Sequence, residues 1–127
     1  MIDVRDLVGI PFKTHGRGKD GMDCYGVAIE VLRRNDIDLP DVFYDKTDGV
    51  SNEKTAELIK EGLPLERIEK PEELCLVDIS VTGNSTSHVG VYVGQGYFIH
   101  ATRNLGVCMQ KLSRYENRIK AYYRVKK

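Results

Sequence analysis

The sequence lacks three features that would each point to a class of protein: a cysteine framework, an excess of charge of one sign and a long apolar run. Its cysteines, Cys24, Cys75 and Cys108, are odd in number and show no C-x-x-C spacing, which argues against a disulfide scaffold or a zinc ribbon. Basic and acidic residues number 19 each, so the net charge gives no reason to expect nucleic acid or an anionic membrane as a partner. No apolar run approaches the ~18 residues that would suggest membrane insertion.

The first residues of the sequence do not predict a secretory signal either. Residues 1–12 contain Asp3 and Asp6 and have neither the basic start nor the apolar stretch of such a signal. We expect synthesis in the cytoplasm without a signal peptide; a cell-wall substrate would then be reached by lysis or within a larger particle such as a phage tail. With 127 residues the chain falls in the usual range of ~100–200 residues for one domain, so residues 1–127 are expected to form a single domain.

Two halves of the chain differ in their apolar pattern. The first half predicts a short helix, an irregular glycine-rich loop, a core helix and a second, more exposed helix, at residues 3–8, 9–21, 23–34 and 52–61. From Leu74 onward β-branched and aromatic residues predict five short strands, at residues 74–81, 88–94, 97–102, 106–112 and 120–127. Helices followed by antiparallel strands indicate an α+β domain.

Cys24 falls within the first turn of the predicted core helix, which Asp20 or Asp23 can cap. Unpaired N–H groups and the positive end of the helix dipole favour a thiolate there, as in an activated cysteine nucleophile. A cysteine on the apolar face of a helix is by itself more often a small buried side chain, so this interpretation depends on a base elsewhere. Cys75 and Cys108, inside apolar strand patterns, are predicted to be buried core residues.

Two histidines lie on neighbouring strands of a predicted hairpin. A three-residue loop, Gly-Gln-Gly, joins the strands. In that register His100 lies opposite Gly90, diagonal to His88 on the same face, while the other face is apolar and can pack on the core helix. His88 is therefore the candidate general base for Cys24, and His100 is the candidate that orients the His88 ring.

Two stretches of the chain resemble the NlpC-type cysteine peptidases, which cleave the stem peptides of peptidoglycan. The first runs from residue 9 to residue 31 and contains Pro11-Phe12, Gly18 and Asp23-Cys24-Tyr25-Gly26. The second is SHVGVYVGQGYFIHA, residues 87–101, in which a base histidine is followed 12 residues later by an orienting polar residue, here 100 − 88 = 12. Tyr25 after the cysteine, the Asp38-Leu39-Pro40 run and the terminal YYRV resemble the phage-tail and prophage subgroup of these peptidases.

The resemblance implies a papain-like fold, in which the nucleophile starts a core helix packed on a five- to six-stranded antiparallel sheet or half-barrel. It implies a cysteine endopeptidase that hydrolyses the bond between D-glutamate and the diamino acid of the stem peptide, through an acyl-enzyme on Cys24. His88 and His100 would complete the catalytic triad. No cofactor and no metal are expected, and other phage tail proteins are candidate partners.

Five further residues are candidates for binding the oxyanion or the substrate, and they are Phe12, His15, Asp23, Tyr25 and Ser87. The family tends to place a tyrosine 12 residues before the nucleophile, where its hydroxyl helps to bind the oxyanion. This sequence has Phe12 at that position. The backbone N–H of Cys24 remains as one donor, and His15 or Tyr25 could replace the missing hydroxyl.

Two other functions fit parts of the sequence. A non-catalytic phage-tail or assembly component could retain this fold; the intact Cys24, His88 and His100 argue against it, and Phe12 argues for it. A metal site would use the same cysteine and histidines together with His15, but it has no short-range ligand pair of the usual kind and ranks last.

Overall fold

The computed structural model describes residues 2–41, 64–80 and 87–126. Within these ranges lie one α-helix, α1 (Cys24–Arg33), two 3₁₀ helices (Arg5–Leu7 and Leu112–Arg118) and eight strands: β1 (Arg17–Gly18), β2 (Gly21–Met22), β3 (Leu65–Ile68), β4 (Leu76–Ser80), β5 (Ser87–Gly94), β6 (Tyr97–Thr102), β7 (Gly106–Lys111) and β8 (Ile119–Val125). The second predicted helix, over residues 52–61, lies outside the described residues. No helix in the described ranges is long and apolar enough to cross a membrane.

Helix α1 is the predicted core helix, and it begins at Cys24 because Asp23 caps it. Asp23 has an extended backbone, and its carboxylate accepts a hydrogen bond from the Gly26 N–H at 2.8 Å. Residues 24–28 are all buried, together with Val31 and Leu32. The helix is therefore enclosed at its N-terminal end, and it packs against β5 and β6.

Six strands form one antiparallel sheet in the order β3-β8-β4-β5-β6-β7. Val91 pairs with Ile99 and Tyr92 with Phe98, which is the predicted register. The predicted three-residue loop is wrong, because Gly94 pairs with Tyr97 and leaves a two-residue loop; a bulge between Tyr92 and Gly94 keeps the register as predicted. The apolar face of this hairpin is fully buried in the main core, through Val91, Val93, Ile99 and Ala101. These elements confirm the predicted α+β fold and put the hairpin beside α1.

Several local features differ from the prediction. The glycine-rich loop contains the small β1–β2 hairpin, and the helix predicted over residues 3–8 is a single 3₁₀ turn. Strand β3, with the sequence LERI, was not predicted because half of it is charged; it pairs with β8 at the edge of the sheet. Cys75 is buried as predicted, but Cys108 is partly exposed because it lies on the edge strand β7.

Candidate active site

Cys24 lies at the N-terminal end of α1, buried against the start of β5. Its relative exposure is 1%. The backbone amides of Val89 and Tyr25 are hydrogen-bonded to its thiol group. Because Val89 follows His88 in β5, the fold brings the candidate nucleophile and the candidate base to the same end of this strand.

The pKa of Cys24 moves in the direction opposite to that expected from its place in the helix. Burial raises the pKa to about 12, and the negative charge of Asp23 adds to this effect. The two amide hydrogen bonds and the positive charge of Arg17 act in the other direction and are outweighed. Burial therefore opposes the effect expected of the helix start and favours the neutral thiol, from which a base must take the proton.

His88 and His100 are in direct contact. His88 Nε2 and His100 Nδ1 are 2.6 Å apart, and the two rings meet edge to face. Burial lowers the pKa of His88 to about 3, helped by the proximity of His100, and burial lowers the pKa of His100 to about 4. Both imidazoles are therefore neutral at pH 7. The hairpin register correctly placed the two rings on one face; their catalytic roles remain predictions.

Two residues that sequence reasoning missed continue this contact. His100 Nε2 lies 2.7 Å from Gln110 Oε1, and the Tyr115 hydroxyl donates to the same oxygen at 2.6 Å. Gln110 could have been found, since it is polar in an apolar strand and lies two residues beyond Cys108, the partner of His100 in the β6–β7 ladder. Nothing in the sequence pattern points to Tyr115, which lies in the second 3₁₀ helix.

Asp23, a candidate for substrate binding, anchors the loop that carries the nucleophile. Its carboxylate accepts hydrogen bonds from the backbone N–H groups of Gly26 and His15, at 2.8 and 3.0 Å, and from the Arg17 guanidinium at 2.8 Å. Arg17 in turn donates to Asp41. Only 2% of Asp23 is exposed, so these contacts fix the entry into α1 in a largely dry setting.

The hydroxyl of Tyr25 and the backbone N–H of His15 are both occupied. The Tyr25 hydroxyl donates to the carbonyl oxygen of Pro40 at 2.7 Å, and burial raises its pKa. His15 is exposed and has a left-handed backbone, with φ of 60°, that turns its N–H toward Asp23. Neither donor is directed at Cys24 by these contacts.

Phe12 and Ser87 complete the set of candidates. Phe12 forms an isolated bridge with Met22, the residue before the Asp23 cap, and the Arg103 guanidinium lies 5.3 Å from the centre of its ring. Ser87 pairs with Ser80 at the start of β5, and its side chain is outside the described part of the structure. In the described ranges no group of three or more His, Cys, Asp or Glu side chains is arranged to hold a metal ion.

The fold and the site together define a class. A thiol at the buried start of a helix, beside a hairpin whose two strands carry a pair of hydrogen-bonded histidines, is an arrangement suited to thiol–imidazole chemistry. The model of the NlpC/P60 family matches residues 9–124, and the chain belongs to this family.

Two curated relatives are similar over most of this chain. One is "Murein DD-endopeptidase MepS/Murein LD-carboxypeptidase" of Escherichia coli (strain K12), 25% identical over 114 residues, which are 89% of this chain and 53% of that protein. The other is "Probable endopeptidase p60" of Listeria innocua, 31% identical over 104 residues, which are 82% of this chain and 19% of that protein. The chain therefore spans about half the length of the first relative and about a fifth of the second.

Solved structures support the fold. The NlpC/p60 domain of the peptidoglycan hydrolase SagA superposes with a TM-score of 0.62 at 17% identity, covering 94% of this chain and 91% of that one. NlpC2 from Trichomonas vaginalis gives a TM-score of 0.67 at 21% identity, covering 95% of this chain and 44% of that one. These likenesses confirm the papain-like α+β fold that the two motifs implied.

Proposed function

We propose that this chain is a cysteine endopeptidase that hydrolyses amide bonds in the stem peptides of peptidoglycan. The observation that carries the proposal is the placement of Cys24 at the start of β5, beside a His88–His100 pair with a ring contact of 2.6 Å. Family membership supports the substrate class, since relatives in this family are described as a murein endopeptidase and a peptidoglycan hydrolase.

The first half of the reaction forms a thioester. His88 takes the proton of the Cys24 thiol as the sulfur attacks the carbonyl carbon of the peptide bond, and the C–S bond forms while the carbonyl oxygen gains negative charge. The tetrahedral intermediate then collapses, the C–N bond breaks, and His88 gives its proton to the leaving amine. Because burial disfavours the charged form of each group before substrate binds, we expect the proton to move during the attack.

The second half releases the enzyme. A water molecule attacks the thioester carbon while His88 takes one of its protons. The C–S bond of the second tetrahedral intermediate breaks, the sulfur recovers a proton from His88, and the product leaves with a new carboxyl group. Cys24 and His88 are thereby returned to their neutral resting forms.

Among the described residues, we assign the backbone N–H of Cys24 as an oxyanion donor. It belongs to the first residue of α1, where the first amides of a helix have no carbonyl partner within the helix. Phe12 has no hydroxyl to add, and the Tyr25 hydroxyl donates to Pro40. Since one oxyanion donor typically contributes ~2.7–4 kcal/mol to transition-state stabilisation, we expect slower turnover than in relatives with tyrosine at position 12.

The motif resemblance supports two finer assignments. The first is cleavage between D-glutamate and the diamino acid, as in the NlpC-type peptidases that the Cys24 and His88 motifs resemble. The second is delivery as part of a phage tail, supported by Tyr25 and by the Asp38-Leu39-Pro40 run. The alternative, a non-catalytic tail or assembly component, is favoured by one observation, the missing hydroxyl at Phe12.

Digestion of purified peptidoglycan tests the proposal. Three proteins are incubated with walls that contain either diaminopimelate or lysine: wild type, Cys24→Ala and Cys75→Ala. Cys75→Ala is the matched control, because it removes another buried thiol away from the histidine pair. Wild type and the control are expected to release fragments whose masses show a free D-glutamate carboxyl group and a new amine on the diamino acid. Equal release by Cys24→Ala would overturn the proposal, and fragments cut at a cross-link would overturn only the assigned bond.

A further inference from the structure

The hydrogen bonds of the histidine pair continue through β7 to the second 3₁₀ helix. His88 contacts His100, His100 contacts Gln110, and the Tyr115 hydroxyl contacts the same Gln110 oxygen, with all three distances between 2.6 and 2.7 Å. We name these four residues the relay. Only the first two are accounted for by the proposed chemistry, so Gln110 and Tyr115 need a separate explanation.

We propose that Gln110, whose amide oxygen Tyr115 holds in place, is a positioning residue that fixes the tautomers of His100 and His88 so that Nδ1 of His88 is free to accept a proton. Its catalytic consequence rests on the proposed function, because the acceptor nitrogen matters only if His88 is the base for Cys24. The tautomers themselves can be measured whether or not the chain is an enzyme.

The positions of the protons follow from the chemistry of the contacting atoms. An amide oxygen only accepts, so both the Tyr115 hydroxyl and His100 Nε2 must donate to Gln110. A neutral His100 with a proton on Nε2 has a lone pair on Nδ1. His88 Nε2 faces that lone pair and must therefore donate, which leaves the lone pair of a neutral His88 on Nδ1.

The opposite orientation of the amide would disable His88. If the Gln110 NH₂ group faced His100, then His100 Nε2 would accept and its Nδ1 would carry the proton. That proton would be donated to His88 Nε2, and the proton of His88 would move to Nδ1. The ring would then have no lone pair for the thiol, so the orientation of one amide decides whether the base can work.

Packing around the relay resists such a reversal. His100 is 1% exposed, and its ring lies 4.4 Å from that of Phe98. The Tyr115 ring meets both Phe98 and His100 edge to face, at 5.4 and 5.6 Å between centres. These contacts hold the Tyr115 hydroxyl over Gln110 and keep the amide oxygen supplied with two donors.

The tautomers can be read by ¹⁵N NMR of the full chain labelled on histidine. The expected wild-type spectrum shows the proton on Nε2 of both His88 and His100, with the exposed His15 assigned from a His15→Asn sample. Gln110→Met removes the acceptor at similar size, and we expect His100 to lose its single tautomer. Gln110→Glu keeps an acceptor oxygen and is expected to preserve the Nε2 proton. A wild-type His100 with its proton on Nδ1 would overturn the proposal.

Kinetics on peptidoglycan fragments supply the second readout. Gln110→Met is expected to lower kcat by ~10–100-fold with KM changed less than about twofold, since a wrong tautomer affects the base and not substrate binding. Gln110→Glu should recover most of the loss, and Tyr115→Phe should fall between them. Tyr122→Phe, which removes a hydroxyl from the same apolar cluster but not from the relay, is the matched control and should be unchanged.

The outcomes separate the two proposals. Equal losses in Gln110→Met and Gln110→Glu, in proportion to the fraction unfolded, would show a packing role and overturn the positioning role. If the wild type releases no fragments but both histidines carry the proton on Nε2, and Gln110→Met loses this state, then the proposed function fails and the assignment of Gln110 as the tautomer-fixing residue is supported.

Discussion

The two sides of the candidate site are held in place by different forces. On the helix side, Asp23 caps α1 and pairs with Arg17, which also pairs with Asp41, so charged groups fix the position of Cys24. On the sheet side, the relay consists of neutral groups on β5, β6, β7 and the second 3₁₀ helix, and its members are joined only by hydrogen bonds and ring contacts.

The proposed reaction requires chemistry between a thiol and an imidazole that burial keeps neutral. Burial disfavours charge on either partner alone, because it raises the pKa of Cys24 and lowers that of His88. A proton transfer between them creates two opposite charges at once, and these can stabilise each other in a medium of low dielectric. In the proposed reaction, the helix side would supply the nucleophile, Cys24, and the sheet side would supply the base, His88.

The largest effect should come from breaking the relay at His100. His100→Ala is expected to lower kcat by ~10²–10⁴-fold and also to destabilise the fold, because a buried ring between Phe98 and Tyr115 is lost. His100→Gln, which keeps a hydrogen-bonding group, should retain more activity. Rates are measured on peptidoglycan fragments and corrected for the folded fraction.

A double variant tests whether His100 acts through His88. If the two act as a unit, His88→Ala/His100→Ala should be barely slower than His88→Ala alone. Additive losses would mean that His100 only supports packing. The sheet side of the site would then contribute stability and not the orientation of His88.

The second prediction concerns the charges on the helix side. Arg17→Gln should destabilise the protein by about 1–3 kcal/mol, because it removes a charged hydrogen-bond donor from the 2%-exposed Asp23 carboxylate. It should also slow the reaction, since the Asp23 charge raises the pKa of Cys24 and the Arg17 charge lowers it. Urea unfolding and kcat measure the two effects.

An exposed pair of the same type is the control. Arg5 pairs with Asp3 at 3.0 Å, but their side chains are 87% and 65% exposed, so Arg5→Gln should leave stability nearly unchanged. Equal losses in the two variants would show that burial of Asp23 has no special importance for the helix side.

Much of this arrangement could be predicted from local sequence. The apolar spacing from Cys24 and a capping aspartate fix the start of α1, because both signals act within one or two helical turns. The Gly-Gln-Gly sequence marks the hairpin turn, and the register decides that His88 and His100 share a face. That register holds because a bulge between Tyr92 and Gly94 compensates for a loop one residue shorter than predicted. The two motifs then supplied the family.

The remaining features depend on tertiary structure. The pKa of Cys24 depends on how deeply the fold buries the thiol against β5. The spacing of apolar residues along the helix does not predict this burial. Tyr115 joins the relay only because the second 3₁₀ helix folds back over β7. The sequence left the Tyr25 hydroxyl as a possible oxyanion donor. In the fold this hydroxyl donates instead to the Pro40 carbonyl oxygen, 2.7 Å away.

The third prediction uses pH to compare the folded and unfolded histidines. An unfolded histidine has a pKa of about 6.5, whereas burial lowers the pKa values of folded His88 and His100 to about 3 and about 4. As pH falls below about 6.5, the unfolded chain binds protons that the folded chain does not, so stability is lost by up to about 1.4 kcal/mol per pH unit for each histidine. Urea midpoints at pH 7, 6 and 5 measure this slope.

Two variants identify the source of the slope. His100→Gln should reduce the slope, because it removes one of the two histidines whose pKa burial lowers; His15→Gln, at an exposed position, is the control substitution. Parallel slopes for wild type and His100→Gln would mean that other groups cause the loss and that the relay is not kept neutral by burial.

The last prediction compares the rates at which the three thiols are alkylated. Cys24 and Cys75 are each 1% exposed, and burial raises their pKa values to about 12 and about 11. Cys108 is partly exposed on the edge strand β7, although burial raises its pKa as well. Alkylation by iodoacetamide requires access and a thiolate. Cys108 should therefore be labelled severalfold sooner than Cys24 in the native protein at pH 7, as measured by peptide mapping. The three rates should become similar in denaturant.

If Cys24 is labelled first, and His88→Gln abolishes this preference, then the imidazole already holds the proton of the thiol at rest. In that case the charge-separated pair, and not the neutral one, is the ground state of the site.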